Sequence, residues 1–106
     1  MRLKDKVAIV TGAGAGFGGG IARRFAEEGA SVIVNDINKI DGESVVADIR
    51  SNGGVADYVA ADVASATDMA ALIGAAVDLH GGLDIMVNNA GVPQRNMPMT
   101  EVSEEA

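Results

Sequence analysis

The residues best suited to chemistry lie in one run, Thr11-Gly12-Ala13-Gly14-Ala15-Gly16-Phe17-Gly18-Gly19-Gly20, and in an acid beyond it, Asp36. Glycines allow a tight bend and let a ligand approach the main chain with no Cβ in the way. A helix that starts from such a bend points unpaired N–H groups outward, where phosphate oxygens can receive them. A carboxylate about 20 residues downstream can accept the hydroxyls of a ribose. The chemistry is therefore recognition: amides for a diphosphate, one acid for a sugar diol. A Walker loop is excluded, because no Gly-Lys-Ser/Thr follows. Two glycine registers stay open. Gly14-x-Gly16-x-x-Gly19 fits the general dinucleotide fingerprint, while Gly12, Gly16 and Gly18 fit Thr-Gly-x-x-x-Gly-x-Gly. Only Gly18 has an evident packing purpose. Gly19 and Gly20 have none at this level, although each costs about 1 kcal/mol against alanine inside a helix.

Asp36 also bears on which dinucleotide is held. A 2′-phosphate beside it would feel like-charge repulsion of roughly 1–4 kcal/mol per unit charge, depending on the local dielectric. The next residue is Ile37 rather than a basic one, and the glycine loop holds no Lys or Arg. NAD(H) is expected over NADP(H).

These residues need strands and helices to place them. Val7-Ala8-Ile9-Val10 reads as a buried strand leading straight into the glycines. From Phe17 the apolar residues fall at Phe17, Ile21, Ala22, Phe25 and Ala26, which is helical spacing, and Gly29 stands where a helix ends. Ser31 to Asn35 is a second strand, closing on Asp36. A weaker helix is expected from about Lys39 to Arg50, stopped by Asn52-Gly53-Gly54. Tyr58-Val59-Ala60 reads as a third strand leading into Ala61-Asp62-Val63. Thr67 is expected to cap a third helix with Met69, Leu72, Ile73, Ala76 and Val77 as its apolar face. Gly81-Gly82 ends that helix, and Leu83 to Val87 forms a fourth strand. Strands joined by helices of this length imply right-handed crossovers and a parallel sheet. The fold class is α/β, a Rossmann-type doubly wound sheet of about four strands, with residues 1–106 as one dinucleotide-binding domain. Ile85-Met86-Val87 looks like an interior strand with no later strand to cover it. An incomplete sheet is the expectation.

Composition narrows the partners. A formal net charge of -7 disfavours nucleic acid and anionic membrane surfaces, which need clustered Lys and Arg. With no cysteine, disulfides, thiolate metal sites and a cysteine nucleophile are out. Acids are scattered without metal-ligand spacing. The apolar run at Val7 to Val10 is too short for a signal peptide or a membrane span, so a cytoplasmic protein is expected. Only three residues are aromatic, and alanine, valine and glycine dominate, which suits helices packed closely on both faces of a parallel sheet.

With these residues in view, the chain resembles the N-terminal, cofactor-binding half of the short-chain dehydrogenase/reductase family. Thr11-Gly12-Ala13, with Ala15-Gly16-Phe17-Gly18, stands where that family's cofactor loop stands. Asp62-Val63 looks like its adenine-contacting pair, and Asn88-Asn89-Ala90-Gly91 like its NNAG motif. The style is closest to the 3-oxoacyl-carrier-protein reductase and glucose dehydrogenase-like members. The resemblance implies an NAD-dependent oxidoreductase acting on an alcohol or ketone. It also implies a cofactor site of Gly12, Ala13, Ala15, Gly16, Phe17, Gly18, Asp36, Ile37, Asp62, Val63, Asn89, Ala90 and Gly91. Physically, Asp62 can accept from the adenine amino group while the Val63 main chain meets the ring edge. Asn89 can bond main chain on neighbouring strands, and Ala90-Gly91 leave room near the nicotinamide. The first and fourth strands would flank the switch point of the sheet.

The departure is in the catalytic set. The family's acid catalysis resembles a Tyr helped by a Lys four residues later and by a Ser. The sole tyrosine here is Tyr58, Asp62 stands four residues on, and no lysine follows Lys39. No catalytic residue carries over. Family members run to more than twice this length, and the missing half is expected to hold the catalytic and substrate residues. This chain alone is then inactive, and its uncovered strand favours association; a homo-oligomer is expected at full length. A non-catalytic dinucleotide-binding module is the alternative. An S-adenosylmethionine-dependent methyltransferase is a further one, disfavoured by Thr11 and by Asn88-Asn89-Ala90-Gly91. His80 reads as a cationic or hydrogen-bonding helix cap. Met97 and Met99 are candidates to face a partner or a lid.

Overall fold

The computed structural model describes residues 2–14 and 16–89. Four strands and three helices alternate: β1 (Val7–Thr11), α1 (Gly16–Glu27), β2 (Ser31–Asn35), α2 (Lys39–Ser51), β3 (Val55–Tyr58), α3 (Ala66–His80) and β4 (Ile85–Val87). All pairings are parallel and the strand order is β3-β2-β1-β4. This is a Rossmann-type α/β sheet. The chain winds outward from β1 to β3 and then crosses back to lay β4 on the far side of β1. The switch point therefore lies between β1 and β4.

The strand period of two divides the core. Ala8, Val10, Val32, Val34, Ala56, Ile85 and Val87 face α1 and α2, where they meet Ala22, Ala26, Val45, Val46 and Ile49. Val7, Ile9 and Ile33 face the other way and meet Leu72 and Ala76 of α3. Small residues let α1 lie close to the sheet: its buried stripe is Gly18, Gly19, Ala22 and Ala26. The larger stripe Phe17, Ile21, Phe25 is displaced by one position, about 100° around the helix. Phe17, expected on the core face, is therefore 70% exposed.

Three boundaries differ from the sequence reading. The third strand ends at Tyr58 rather than beginning there. The turn at Asn52-Gly53-Gly54 is compact, with Gly54 N–H bonded to Ile49 O, so the chain reaches the sheet by Val55. Val55 to Tyr58 then pairs with Ser31 to Val34. The α3 cap is Ser65, not Thr67, with its hydroxyl accepting from Asp68 N–H. β4 starts at Ile85, because Asp84 is used at the strand entrance, where its carboxylate accepts from Val7 N–H at 2.8 Å. Of the predicted α3 face, Leu72 and Ala76 are buried, while Ile73 and Val77 stay in part exposed. One sheet of this width covers only part of that stripe. Among the described residues β4 pairs with β1 alone, and no helix is long and apolar enough to cross a membrane.

Candidate functional site

The glycine loop leaves β1 at the carboxyl edge of the sheet. Gly12 and Gly16 have φ of 61° and 57°, which side-chain-bearing residues rarely adopt. They bend the chain into α1. Gly18 closes the bend from inside: a Cβ there would run into the Gly12 carbonyl oxygen and lie 2.9 Å from Asn89 Nδ2. These are the positions of the second register, Thr-Gly-x-x-x-Gly-x-Gly. Gly14 and Gly19 are crowded for other reasons. A Cβ on Gly14 would lie 2.8 Å from the Asp36 carboxylate, and one on Gly19 would lie 3.3 Å from Ala13 O. Gly20 has open space around it, and nothing in the structure explains it.

Asp36 stands against this loop. One carboxylate oxygen accepts from Gly14 N–H at 2.8 Å, and the other accepts from Asn38 N–H at 2.8 Å. The acid is thus oriented by two amides, one from the loop and one from the entrance to α2. Ile37 beside it is 89% exposed. The phenol of Tyr58 donates to the Asp36 carbonyl oxygen at 2.6 Å. Burial and the nearby charges of Asp36 and Glu43 push that phenol above its ordinary pKa, so it stays a donor.

The segment after β3 is held by a residue the sequence reading passed over. Asn35, 1% exposed at the end of β2, donates from its side-chain amide to Val59 O at 2.9 Å and Ala61 O at 3.2 Å. Its own carbonyl accepts from Ala13 N–H at 2.9 Å. One residue therefore ties the glycine loop to the Ala61-Asp62-Val63 segment. A polar residue ending an otherwise β-branched strand was the available signal, since buried amides need partners. Replacing Asn35 with alanine leaves two carbonyls without their donor and should cost about 1–3 kcal/mol. Thermal unfolding followed by circular dichroism should show a midpoint lower by roughly 4–8 °C per kcal/mol; an unchanged midpoint would mean the amide does no holding.

Asp62 is exposed and turns its carboxylate onto Ala64 N–H at 2.9 Å, while its own N–H is taken by Asp68. At the switch point, Thr11 Oγ1 accepts from Asn89 N–H at 2.8 Å, and Asn89 Nδ2 reaches Gly12 O at 3.3 Å. Gly12, Gly18 and Asn89 are thus brought into contact. An open cleft of about 380 Å³ runs from there along the sheet edge, lined by Gly12, Asn35, Asp36, Ile37, Ala61, Asp62, Val63 and Ala64. The first turn of α1 holds no acid to compete for an anion.

The structure thus brings Gly12, Asp36, Ile37, Asp62 and Val63 to one cleft, with Gly18 and Asn89 against Gly12. Gly16 and Phe17 line a separate open pocket on α1 with Gly20, Ile21, Arg24 and Phe25. Ala13 is different. Its side chain is fully buried in the core and its N–H is bonded to Asn35, so it supports the loop from below and offers a ligand no surface. Ala15, Ala90, Gly91, Met97 and Met99 lie outside the described residues. His80 bonds Asp57 of β3 at 2.9 Å and ties the end of α3 to the sheet.

The described residues fit the adenosine diphosphate part of a dinucleotide. They offer an oriented carboxylate acceptor, apolar flanks at Ile37 and Val63, and a helix start free of acid beside a bend a Cβ would block. Comparison with known proteins shows the family. A family model described as short chain dehydrogenase matches residues 6–106. The chain belongs to the short chain dehydrogenase family. Within it, 7alpha-hydroxysteroid dehydrogenase of Escherichia coli is 47% identical over 91 residues, covering 86% of this chain and 36% of that protein. The 4-formylbenzenesulfonate dehydrogenase of Comamonas testosteroni is 43% identical, over 99% of this chain and 42% of its own length. A crystal structure of hydroxysteroid dehydrogenase from Escherichia coli superposes with a TM-score of 0.82 at 45% identity, covering 94% of this chain and 44% of that one. The chain thus spans less than half the length of these relatives. Membership sets aside the methyltransferase reading.

Proposed function

We propose that the chain is the cofactor-binding part of an NAD(H)-dependent oxidoreductase moving hydride between a nicotinamide and an alcohol or ketone. The observation that carries this is the meeting of the glycine bend and the Asp36 carboxylate on one cleft beside the switch point. In this reading the first-turn amides of α1 take the pyrophosphate. Asp36 takes the adenosine ribose, and Asp62 with the Val63 main chain takes the adenine edge. Asn89 keeps the end of β4 against Gly12. NAD(H) supplies the hydride when bound. The names of the relatives, a hydroxysteroid dehydrogenase among them, support an alcohol or ketone as substrate.

Proton transfer is assigned to groups outside this sequence. Tyr58 has its phenol committed to the Asp36 carbonyl, and no lysine follows Lys39 to assist it. Among the described residues β4 has an unpaired side, which favours association of this chain by itself.

Isothermal titration with NADH and with NADPH tests the proposal. NADH should bind, and NADPH should bind at least about 5-fold more weakly, the lower bound set by one unit of like charge. Equal affinities would overturn the cofactor preference. No binding of either would overturn the site.

A further inference from the structure

Tyr58 is the residue whose chemistry the cofactor site leaves unused. Its ring lies against α2 at Gly42, where a Cβ would collide with Cε1 and lie 2.6 Å from Cδ1. From there its hydroxyl reaches the Asp36 carbonyl across the mouth of the sheet. The turn it touches is otherwise open to solvent, with Ile37, Asn38, Lys39 and Ile40 all exposed. Among the described residues, no other side chain donates a hydrogen bond to the main chain of 36–39. The Asp36 carboxylate is steered by the amides of Gly14 and Asn38, and the peptide that carries it is steered by Tyr58.

We infer that Tyr58 is a positioning residue for cofactor choice: its hydroxyl, braced on Gly42, holds the β2–α2 turn so that the Asp36 carboxylate faces the ribose and repels a 2′-phosphate. The inference rests on the NAD(H) reading of Asp36. Losing the phenol hydroxyl frees the turn, so the carboxylate spends less time where it both receives the diol and opposes the phosphate. NADH binding weakens, and NADPH is excluded less.

The test is the ratio of NADPH to NADH dissociation constants in the unmodified chain, Tyr58→Phe, Gly42→Ala and Arg50→Gln. Tyr58→Phe keeps the ring and removes only the O–H. The ratio should fall about 3- to 10-fold, the scale of one neutral hydrogen bond. Gly42→Ala pushes the ring off its seat and should lower the ratio likewise, so the inference stays testable if one variant folds poorly. Arg50 lies near the Tyr58 ring but bonds Asp57 and Ala56 O of β3, not the main chain of 36–39. Arg50→Gln should lower thermal stability and leave the ratio unchanged, which separates positioning from a general loss of structure. A ratio unmoved in both Tyr58→Phe and Gly42→Ala, with NADH preference intact in the unmodified chain, overturns the role of Tyr58. Absence of any NADH preference in the unmodified chain overturns the reading of Asp36 itself, and the inference falls with it.

Discussion

Replacing Gly18 with alanine should abolish measurable NADH binding and lower the unfolding midpoint, although the added group is one methyl. That methyl would be driven into the Gly12 carbonyl and against Asn89 Nδ2. The first is main chain on a bend already fixed by positive φ at Gly12 and Gly16, so it cannot swing away. Overpacking of this kind costs about 1–3 kcal/mol, and any relief must move the amides proposed to meet the pyrophosphate. Gly20→Ala is the matched control. It adds the same methyl two residues along the same helix, where no atom lies within 4 Å. It should stabilise the chain by up to about 1 kcal/mol, because alanine outperforms glycine in a helix. Paired titrations and melts of the two variants decide the matter. A Gly18→Ala chain that binds NADH like the unmodified one would show that the bend is not the pyrophosphate seat.

Asp36→Asn should erase the preference for NADH while keeping the shape of the side chain. The repulsion of roughly 1–4 kcal/mol expected between Asp36 and a 2′-phosphate corresponds to about 5- to 700-fold in affinity at about 1.4 kcal/mol per decade. Most of that factor should vanish, with NADPH binding improved and NADH binding weakened. The NADH loss has two sources. A charged acceptor for the ribose is gone, and the amide can satisfy only one of the two N–H groups, Gly14 and Asn38, that the carboxylate now serves. Titration with both cofactors reads the ratio directly. An unchanged ratio would mean the adenosine ribose sits elsewhere.

The alternation of elements and the parallel sheet were legible in the sequence because they rest on contiguous residues. Hydrophobic period, helix-ending glycines and short β-branched runs are local properties, and Ser31–Asn35 came out with the same bounds in both readings. The glycine loop and Asp36 were legible for a related reason: strand, bend, helix and strand-end acid follow one another at fixed spacing. The third strand was misplaced because Tyr58, Val59 and Ala60 look as strand-like as Val55 to Tyr58. Only the pairing with β2, and the Asn35 side chain taking over beyond it, separates the two.

Taken alone, the order of residues determined the alternation of strands and helices, the family pattern they carry, and a glycine bend followed at fixed spacing by a strand-end acid. It singled out Gly18 for packing but could not separate the roles of the others, since a glycine needed for positive φ, one needed for close approach and one needed for nothing are the same letter. Nor could it see that Tyr58 steadies Asp36, 22 residues earlier, that Asn35 clips a loop 24–26 residues on, or that Gly12 meets Asn89. Those relations arise only when the crossovers bring the carboxyl ends of the strands together. Steric exclusion and hydrogen-bond direction act between atoms in space, and distance along the chain does not encode them.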